Sequence, residues 1–507
     1  MKFLKQTTIA CLALFTFACQ DDDDNVVSQN NNLNTEVNFQ YKTTINVGGE
    51  ASAEISAFDA LTKKLFVTNS ESNEISIYNI LDLDAPVQEG SINLNAYGAP
   101  NSVAVSNGKL AVAIEADVKQ NPGKILVYNT SDASLINQYT VGALPDMVTF
   151  SNNGNIIVSA NEGEPNDDYT VDPMGTVSII DLNDDSVTTL DFSAFNGQEA
   201  SLEAQGFRVF GPNANLATDV EPEYIAISDD SQNAWVTLQE NNGIAKINLL
   251  TKTIEAIYPL GFKDYSLAQN SLDASDKDLV TELKNWPVKG MYQPDAIVYV
   301  NIGGTEYVIS ANEGDSRDYD GFSEEERLKG LTLDETIFPA SLEYLNDENL
   351  GRLKITTTLG DTDNDGDLEE IYSYGARSFS IWNANGTLAY DSGNSIATET
   401  LALTPNQFND EDGRSDDKGA EPESVDVLNI GDQRYILFVG LERTDQVMVY
   451  DISNPTAPTF LAILSHSGDE APEGLLVVPA EDSPNGKDLL IVSNEDSGTV
   501  TFYENQQ

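Results

Sequence analysis

Two acidic segments of nearly identical sequence contain the residues best suited to chemistry in this chain. One reads SANEGEPNDDY at residues 159–169 and the other SANEGDSRDY at residues 310–319; we call them the first and the second ANEG loop. Carboxylate oxygens are preferred ligands of the hard cations Ca²⁺, Mg²⁺ and Mn²⁺. The loops therefore predict metal binding through three carboxylates each: Glu162, Glu164 and Asp168 in the first, and Glu313, Asp315 and Asp318 in the second. The alternative is structural, with the glutamates capping backbone amides.

A third acidic segment has the spacing of a calcium-binding loop. In DTDNDGDLEE, residues 361–370, aspartates occupy alternate positions and Gly366 permits a sharp turn. The twelfth position is Tyr372 rather than Glu, so the segment is not an EF-hand, and Glu369 or Glu370 supplies the closing carboxylate. A solvated acidic loop without metal is the competing interpretation. We predict that Ca²⁺, or else Mg²⁺ or Mn²⁺, is held by five carboxylates: Asp361, Asp363, Asp365, Asp367 and Glu369.

Catalytic chemistry has few candidate side chains. His466 is the only histidine, which excludes a zinc site built on several histidines and makes a serine hydrolase triad depend on one residue. A metal-dependent phosphoesterase needs carboxylates for the metal and an arginine for phosphate. Candidate catalytic residues are therefore Glu162, Glu313, Arg317 and Arg377. Arginines in acidic surroundings also pair simply with carboxylates, so the sequence leaves catalysis open. No Walker, Rossmann or cysteine-cluster motif indicates another cofactor.

The elements that position these loops belong to an internal repeat. Six segments begin with Pro and a mostly acidic residue and then alternate in polarity, as in LPDMVTF at residue 144; SAEISAF at residue 52 is a seventh without the proline. Each leads through turns to a second and a third apolar run, which is typical of strands. Seven units of three or four strands predict an all-β fold, a seven-bladed β-propeller. The last unit has only three strands, so the N-terminal strand VNFQYKTTINV at 37–47 is predicted to complete it and close the ring.

In a propeller, the starts of the first strands and the ends of the second strands lie on one face. The first strands start near Glu54, Asn101, Asp146, Glu223, Asp295, Glu423 and Glu473. The second strands end near Glu71, Glu115, Glu162, Glu240, Glu313, Glu442 and Glu495. Insertions at 193–220, 262–292, 320–370 and 395–420 connect at this same face, which we call the rim face. Functional loops collect on one side of a rigid scaffold, so the rim face is the predicted functional surface.

The N-terminus has the features of an export signal. Lys2 and Lys5 precede a mostly apolar stretch, and Ala18 precedes Cys19, which resembles a bacterial lipoprotein signal over residues 1–18 with lipidation of Cys19. Residues 19–36 are acidic and polar and form a predicted tether, while residues 37–507 form the propeller domain. The acidic run at 21–24 resembles a Bacteroidetes surface-export signal. The expected location is the outer membrane, exposed at the cell surface, with simple secretion and a merely solvated linker as the alternatives.

The charge of the chain restricts its partners. Lys and Arg number 26 against 83 Asp and Glu, which gives a formal charge of -57, and 40% of the residues are hydrophobic. Such a surface repels nucleic acid and anionic lipid but attracts divalent cations and basic groups. We therefore expect no nucleic-acid partner and membrane contact only through the lipid anchor. The expected partners are an extracellular protein, a glycan or a phosphate-bearing small molecule.

A family resemblance rests on five motifs. Along the chain they are the first ANEG loop, GPNANLATDVEPEYIAIS at 211, the second ANEG loop, DTDNDGDLEEIYSYGARSFSIW at 361 and GAEPESV at 419. With them, the chain resembles the choice-of-anchor I family from about residue 37 onward. The resemblance implies an exported β-propeller whose relatives differ in their anchor, here a lipid on Cys19. Some relatives are labelled mesenchyme-specific cell surface glycoprotein or alkaline phosphatase, and some are joined to a metallophosphatase domain that is not recognisable in this sequence.

These observations lead to one main hypothesis and two alternatives. The main hypothesis is a surface lipoprotein whose calcium-binding propeller binds an extracellular ligand through the acidic rim face. The first alternative is a metal-dependent phosphoesterase that uses rim carboxylates and Arg317 or Arg377. The second is that the metal is purely structural and the rim glutamates meet no ligand.

Overall fold

The computed structural model of the protein describes residues 37–506. The predicted signal peptide, the lipidation site Cys19 and the predicted tether lie outside these residues. The described chain is built mainly of antiparallel strands, which confirms the all-β prediction. None of the helices between residues 37 and 506 combines the length and the apolar composition that crossing a bilayer requires.

Seven four-stranded antiparallel sheets make up most of residues 37–506, and we number them along the chain. Sheet 1 contains Ser56–Asp59, Lys64–Asn69, Glu74–Asn79 and Val87–Asn93; sheet 2 contains Pro100–Ser106, Lys109–Ile114, Pro122–Asn129 and Leu135–Ala143. Sheet 3 contains Pro145–Phe150, Ile156–Asn161, Thr176–Asp181 and Ser186–Asp191; sheet 4 contains Pro222–Ile227, Asn233–Leu238, Gly243–Asn248 and Thr253–Pro259.

The remaining three sheets follow the same order of strands, except at the last. Sheet 5 contains Ile297–Ile302, Thr305–Asn312, Ser378–Asn383 and Leu388–Asp391; sheet 6 contains Pro422–Asn429, Tyr435–Leu441, Gln446–Asp451 and Thr459–Leu464. Sheet 7 contains Pro472–Val478, Leu489–Asn494, Thr499–Asn505 and, as its fourth strand, the N-terminal Phe39–Asn46. That strand runs antiparallel to the last one, with Phe39 opposite Asn505 and Asn46 opposite Thr499.

The burial of the strands explains their sequences. The second strand of sheet 3, IIVSAN, is almost entirely buried, because neighbouring sheets cover both of its faces. The fourth strand, SVTTLD, alternates half-buried and exposed residues, because one of its faces meets solvent. The first strands of consecutive sheets contact one another, and the first strand of sheet 7 also contacts that of sheet 1. The hydrophobic clusters therefore lie between adjacent sheets.

The insertions form a separate layer against sheets 3 to 6. A five-stranded insertion sheet contains Phe262–Asp264, Lys289–Met291, Glu325–Arg327, Lys354–Thr356 and Tyr372–Ser373. A two-stranded hairpin pairs Asp318–Tyr319 with Phe322–Ser323. The helices are short: Glu199–Glu203, Leu216–Asp219, Ser341–Tyr344 and Ser395–Leu403, with 3-10 turns at Ser193–Phe195, Ala268–Asn270, Leu328–Gly330, Pro405–Gln407 and Glu442–Thr444.

Candidate functional site: an acidic cavity and two ANEG loops

The starts of the first strands surround a cavity of about 320 Å³. Six of the seven residues that the repeat identified at these starts line it: Glu54, Asn101, Asp146, Asp295, Glu423 and Glu473. From the ends of the second strands come Glu115, Glu162 and Glu495, and Glu164 follows from the first ANEG loop. The strand register is irregular beside several of these residues, as between Pro145 and Val148 in sheet 3 and between Pro422 and Val425 in sheet 6. At the starts of their first strands, five of the seven sheets therefore supply a carboxylate to the cavity, whereas sheet 2 supplies Asn101 and Glu223 of sheet 4 is not among the lining residues.

The pKa values of these carboxyls are raised, mainly because burial disfavours the charged form. Burial raises the pKa of Glu54 to about 7, against a hydrogen bond from Ser70 and with added repulsion from Glu495. Burial, with repulsion from Asp295 and Glu164, raises the pKa of Asp146 to about 7. Burial also raises the pKa values of Glu423 and Glu473 well above the ordinary range. The cavity therefore favours either protons or a bound cation.

The asparagines of the two ANEG loops have the same structural role. In the first loop, Asn161 Nδ2 donates to the carbonyl of Thr176 at 3.1 Å and to the hydroxyl of Ser178 at 3.1 Å. In the second, Asn312 Nδ2 donates to the hydroxyls of Ser378 at 3.2 Å and Ser380 at 2.8 Å. Both asparagines tie the second strand of a sheet to the third. Their amides are therefore committed to the sheet rather than to a metal.

The glycines of the two loops are required by the backbone. Gly163 has φ +73° and Gly314 has φ +96°, in the left-handed region that favours glycine. A Cβ at Gly163 would stand 2.8 Å from the backbone carbon of Met174, and one at Gly314 would stand 2.2 Å from the nitrogen of Gly375. The shared glycine thus allows the chain to turn against the segment that returns to the third strand.

The two glutamates that follow the asparagines have different partners. Glu313 accepts from Gln239 at 2.7 Å and forms an ion pair with Lys418 of the fourth insertion. Glu162 has no ion-pair partner within residues 37–506. Burial, followed by repulsion from Asp146 and Glu164, raises its pKa well above the ordinary range. Burial also raises the pKa of Glu313, although Lys418 opposes that shift.

The two ANEG loops and the residues that follow them contact each other through side chains and backbone. Tyr319 Oη donates to Glu164 Oε1 at 3.3 Å, and the rings of Tyr169 and Tyr319 pack edge to face with centroids 5.7 Å apart. The amide of Gly321 also donates to the carbonyl of Asp167 at 2.8 Å. Asp168 and Asp318 are exposed in this arrangement, and neither belongs to a group of converging carboxylates among the described residues. The six predicted ANEG ligands therefore do not converge on a single point.

Both candidate catalytic arginines form hydrogen bonds or ion pairs with other residues of the protein. Arg317 is 2% exposed; it donates to Asp219 Oδ1 at 2.8 Å and lies 3.1 Å from Glu221 Oε1. Arg377 donates to three backbone carbonyls, those of Asp273, Ser415 and Asp417. Both guanidinium groups therefore join insertions to the sheets, which is the structural role that the sequence left open.

The predicted calcium loop brings its ligands together. Oxygens of Asp361, Asp363, Asp365 and Glu369 lie within 4.8 Å of one another. The amides of Asp365 and Gly366 donate to the Asp361 carboxylate at 3.2 and 3.1 Å, which fixes the turn. Of the two glutamates that the sequence offered, Glu370 forms an ion pair with Lys289 at 2.7 Å, and Glu369 is the one that lies with the aspartates. These residue types and spacings suit Ca²⁺.

Asp367 lies in a second group with Asp334 and Glu369, whose oxygens also fall within 4.8 Å of one another. Desolvation and repulsion from Asp365 raise the pKa of Asp367 to about 6. Asp334 was missed in the sequence because it lies 27 positions before Asp361 and follows no motif. The bridge between Leu333 and Leu368 brings it to the loop.

Sequence reasoning also missed the groups that compensate the second ANEG loop. Lys418 pairs with Glu313 and lies 3.3 Å from Asp315 and 3.7 Å from Glu421. Asp295, Glu313 and Glu423 form one group of carboxylates within 4.8 Å, and Glu313, Glu421 and Glu442 form another. The acidic residue after each repeat proline was the signal for Asp295 and Glu423. No local signal marked Lys418, because its insertion has no regular pattern.

Comparison with known proteins identifies the family. The model of the choice-of-anchor I domain matches residues 54–455. The chain belongs to the choice-of-anchor I family. Membership fits an exported or cell-surface protein. A relative, Gigasin-3a of Magallana gigas, is 35% identical over 31% of this chain; the match spans 65% of that protein's length.

Solved structures support the fold alone. The chain is similar to the WD40 repeats of RRP9, with a TM-score of 0.50 and 9% identity over 92% of this chain and 100% of that one. It is also similar to a hydrazine synthase of Kuenenia stuttgartiensis, with a TM-score of 0.50 and 12% identity over 90% of this chain and 96% of that one. WD40 repeats form β-propellers, so this choice-of-anchor I chain has an all-β architecture of the propeller kind.

Proposed function

We propose that the protein is a cell-surface lipoprotein whose calcium-binding, seven-bladed β-propeller binds an extracellular ligand through its acidic rim face. The observation that carries the proposal is the cavity at the starts of the first strands, because carboxylates from most of the repeat units surround it. Ordinary packing does not require this concentration of acidic side chains in one place. A site that attracts a cation or a basic group does require such a concentration of acidic side chains.

The seven blades and their closure are supported by contacts between sheets. Each four-stranded sheet corresponds to one repeat unit, and the first strands contact one another in sequence from sheet 1 to sheet 7 and back to sheet 1. The N-terminal strand pairs with the last strand, which supplies the fourth strand of sheet 7. In the proposed ring, this strand closes the last blade.

Calcium is proposed for the loop at 361–370. Four oxygen ligands from Asp361, Asp363, Asp365 and Glu369 converge there, in a segment that lies in the third insertion. Calcium would neutralise these carboxylates and hold the loop against the insertion layer. The rim carboxylates Glu162, Glu164, Glu313 and Asp315 remain proposed secondary ligands, with Mg²⁺ or Mn²⁺ as alternative ions.

The family and the N-terminal sequence support the proposed location. Choice-of-anchor I membership fits export, and Cys19 is the proposed point of lipid attachment. An outer-membrane protein anchored in this way would reach its ligand outside the cell. We propose an extracellular protein, a glycan or another small molecule as that ligand.

Phosphoester hydrolysis is the weaker proposal. It would require Arg317 or Arg377 to reach a phosphate group, whereas Arg317 is buried against Asp219 and Glu221 and Arg377 is held by three carbonyls. Releasing either would leave buried groups unpaired, which is costly. Ligand binding needs no such rearrangement.

One experiment tests calcium binding and hydrolysis together. Thermal unfolding of the full chain is measured in EDTA and with Ca²⁺, Mg²⁺ or Mn²⁺, followed by assays with p-nitrophenyl phosphate and bis-p-nitrophenyl phosphate in the stabilising metal. We expect Ca²⁺ to raise Tm, Asp363→Asn to remove most of that increase and the exposed control Asp432→Asn to keep it, with no turnover. Turnover that EDTA and Glu162→Gln abolish would establish an enzyme instead, and no Tm response to any metal would refute the calcium site.

A further inference from the structure

The acidic cavity, which we call the acidic compartment, adjoins a second cavity, which we call the apolar compartment. A second cavity of about 210 Å³ is lined mainly by apolar residues of the first strands, among them Phe58, Val103, Val105 and Leu476. Ile55, Ser102, Met147 and Tyr224 line both cavities, so the two are neighbours along the inner strands. The first strands thus surround an acidic compartment followed by an apolar one.

The acidic compartment has little positive charge to balance it. Lys119 is the one cationic side chain among the described residues that line it, and its Nζ is 3.9 Å from both Glu115 and Glu164. Glu54, Asp146, Glu423 and Glu473 have no ion-pair partner in residues 37–506. Oε2 of Glu423 is shielded from solvent and has no hydrogen-bond partner in the described chain. Such a group is ordinarily paired in a native protein.

Two buried hydroxyls are also unpaired. Ser424 is 5% exposed and lines the acidic compartment, and Ser56 is 8% exposed and lines the apolar one. The hydroxyl of neither has a hydrogen-bond partner among residues 37–506. Both hydroxyl oxygens are shielded, and that of Ser424 lies beside Gly440 of the second strand of sheet 6. An ammonium group has three donors and no acceptor, so the carboxylate oxygens of the compartment are the groups that match it.

A single metal ion satisfies few of these groups. Ca²⁺ takes its ligands at 2.3–2.6 Å, so they must lie close to one another. Among the residues lining the acidic compartment, only Asp295 and Glu423 belong to such a group, and its third member, Glu313, is already held by Gln239 and Lys418. The other carboxylates are spread around a wider cavity. A longer cation with an apolar body reaches more of them and also fills the second compartment.

We propose that the two compartments bind a linear alkylammonium cation, with one ammonium group among the carboxylates and the methylenes that follow it in the apolar compartment. The ligand class is an aliphatic diamine or polyamine, and a lysine side chain of a partner peptide presents the same chemistry. The inference rests on the proposed ligand-binding role of the rim face and specifies its ligand.

Isothermal titration of the full chain with spermidine at low salt tests the acidic compartment. We expect saturable binding that weakens at least tenfold in Glu423→Gln and Glu473→Gln, because each removes an ionisable group, while the control Glu203→Gln in the Glu199–Glu203 helix binds as the parent does. Glutamine resembles the protonated acid, so these variants should stay folded, which thermal unfolding verifies. Unchanged binding in both Glu423→Gln and Glu473→Gln would overturn the proposal.

The apolar compartment is tested by chain length. Titration with 1,3-diaminopropane, 1,5-diaminopentane and 1,8-diaminooctane should show affinity rising by about threefold per methylene, since each buried methylene is favourable. Affinity that depends on charge alone would contradict the apolar half of the proposal.

A final comparison separates the sources of the ammonium group. Acetyl-trilysine amide is titrated beside spermidine: preference for the peptide assigns the site to lysine side chains of a partner, and preference for spermidine assigns it to a free polyamine. Binding of neither refutes the alkylammonium site. In that case Ca²⁺ should still stabilise the parent protein, and Asp363→Asn should still remove that stabilisation. Failure of the alkylammonium proposal is therefore distinguishable from failure of the calcium proposal.

Discussion

The two ANEG loops have the same first five residues but different electrostatic surroundings. In both, the asparagine joins the second strand to the third and the glycine has a positive φ. Glu313 is compensated by Lys418, whereas Glu162 faces Asp146 and Glu164 without a cationic partner in residues 37–506. The repeat sets the backbone, and the insertions determine which copy carries uncompensated charge. We therefore expect the proposed ligand to affect the first loop more than the second.

The largest expected effect is a dependence of stability on pH in metal-free protein. The folded pKa of Glu54 is raised from 4.5 to about 7, so the folded state binds more protons between these values than the unfolded state. This contribution, about 3 kcal/mol for Glu54 alone, is present below pH 4.5 and is lost as pH rises through 7. Urea unfolding in EDTA should show greater stability at pH 5.5 than at pH 8.

The control for this dependence is a rim glutamate that does not line the cavity. Glu162→Gln removes an uncompensated acid and should reduce the pH slope, whereas Glu71→Gln, on a rim glutamate that accepts from Ser52, should leave it unchanged. Stability that falls between pH 8 and pH 5.5 would mean that the cavity carboxyls are not desolvated as described.

Loss of Lys418 should produce the next largest effect. Lys418→Met leaves Glu313 without its ion pair in a largely buried site, where breaking a pair costs about 3 kcal/mol. Denaturant unfolding at pH 8 measures the loss. Restoring the balance with the double variant Lys418→Met and Glu313→Gln should recover part of it, and purely additive effects would show that the pair does not interact.

The paired asparagines should behave alike. Asn161→Ala and Asn312→Ala each leave buried hydroxyl or carbonyl groups unpaired, at a cost of about 2 kcal/mol. Equal decreases in stability, without a change in the Ca²⁺-induced increase in Tm, would support the common structural role. A lost calcium response in either variant would instead make that amide a metal ligand.

The smallest expected effect is the change in stability on replacing Glu162, which we compare with the effect of replacing Glu313. Glu162→Gln replaces a carboxyl whose pKa burial raises, so at pH 7 it should change stability by less than about 1 kcal/mol. Glu313→Gln weakens the pair with Lys418 and should cost more. Thermal unfolding of both variants in the same buffer measures the difference, and the reverse order would contradict the assigned compensation.

The repeat made much of the architecture predictable. Period-two alternation identifies IIVSAN and its counterparts as strands, and the prolines with their following acids mark the first strand of each unit. The all-β prediction is confirmed. The convergence of Asp361, Asp363, Asp365 and Glu369 could be predicted from local spacing, because these carboxylates lie within nine residues of one another in the chain.

The partners of the site residues could not be predicted in the same way. Lys418 reaches Glu313 across 105 positions, and Arg317 reaches Asp219 across 98. These contacts depend on how irregular insertions pack, and no periodic pattern encodes that. Sequence alone therefore identified the acidic positions but not which of them are neutralised.

The strand Phe39–Asn46 has a consequence for the time course of synthesis. Phe39 pairs with Asn505, and the amide of the preceding Asn38 donates to the side chain of Asn505, 467 residues later. Sheet 7 therefore cannot be completed until the strand Thr499–Asn505 has left the ribosome. In the proposed ring, the arc of sheets stays open until the strand Thr499–Asn505 has been made. Completion of sheet 7 is therefore expected late in folding, because contacts of such high sequence separation form slowly.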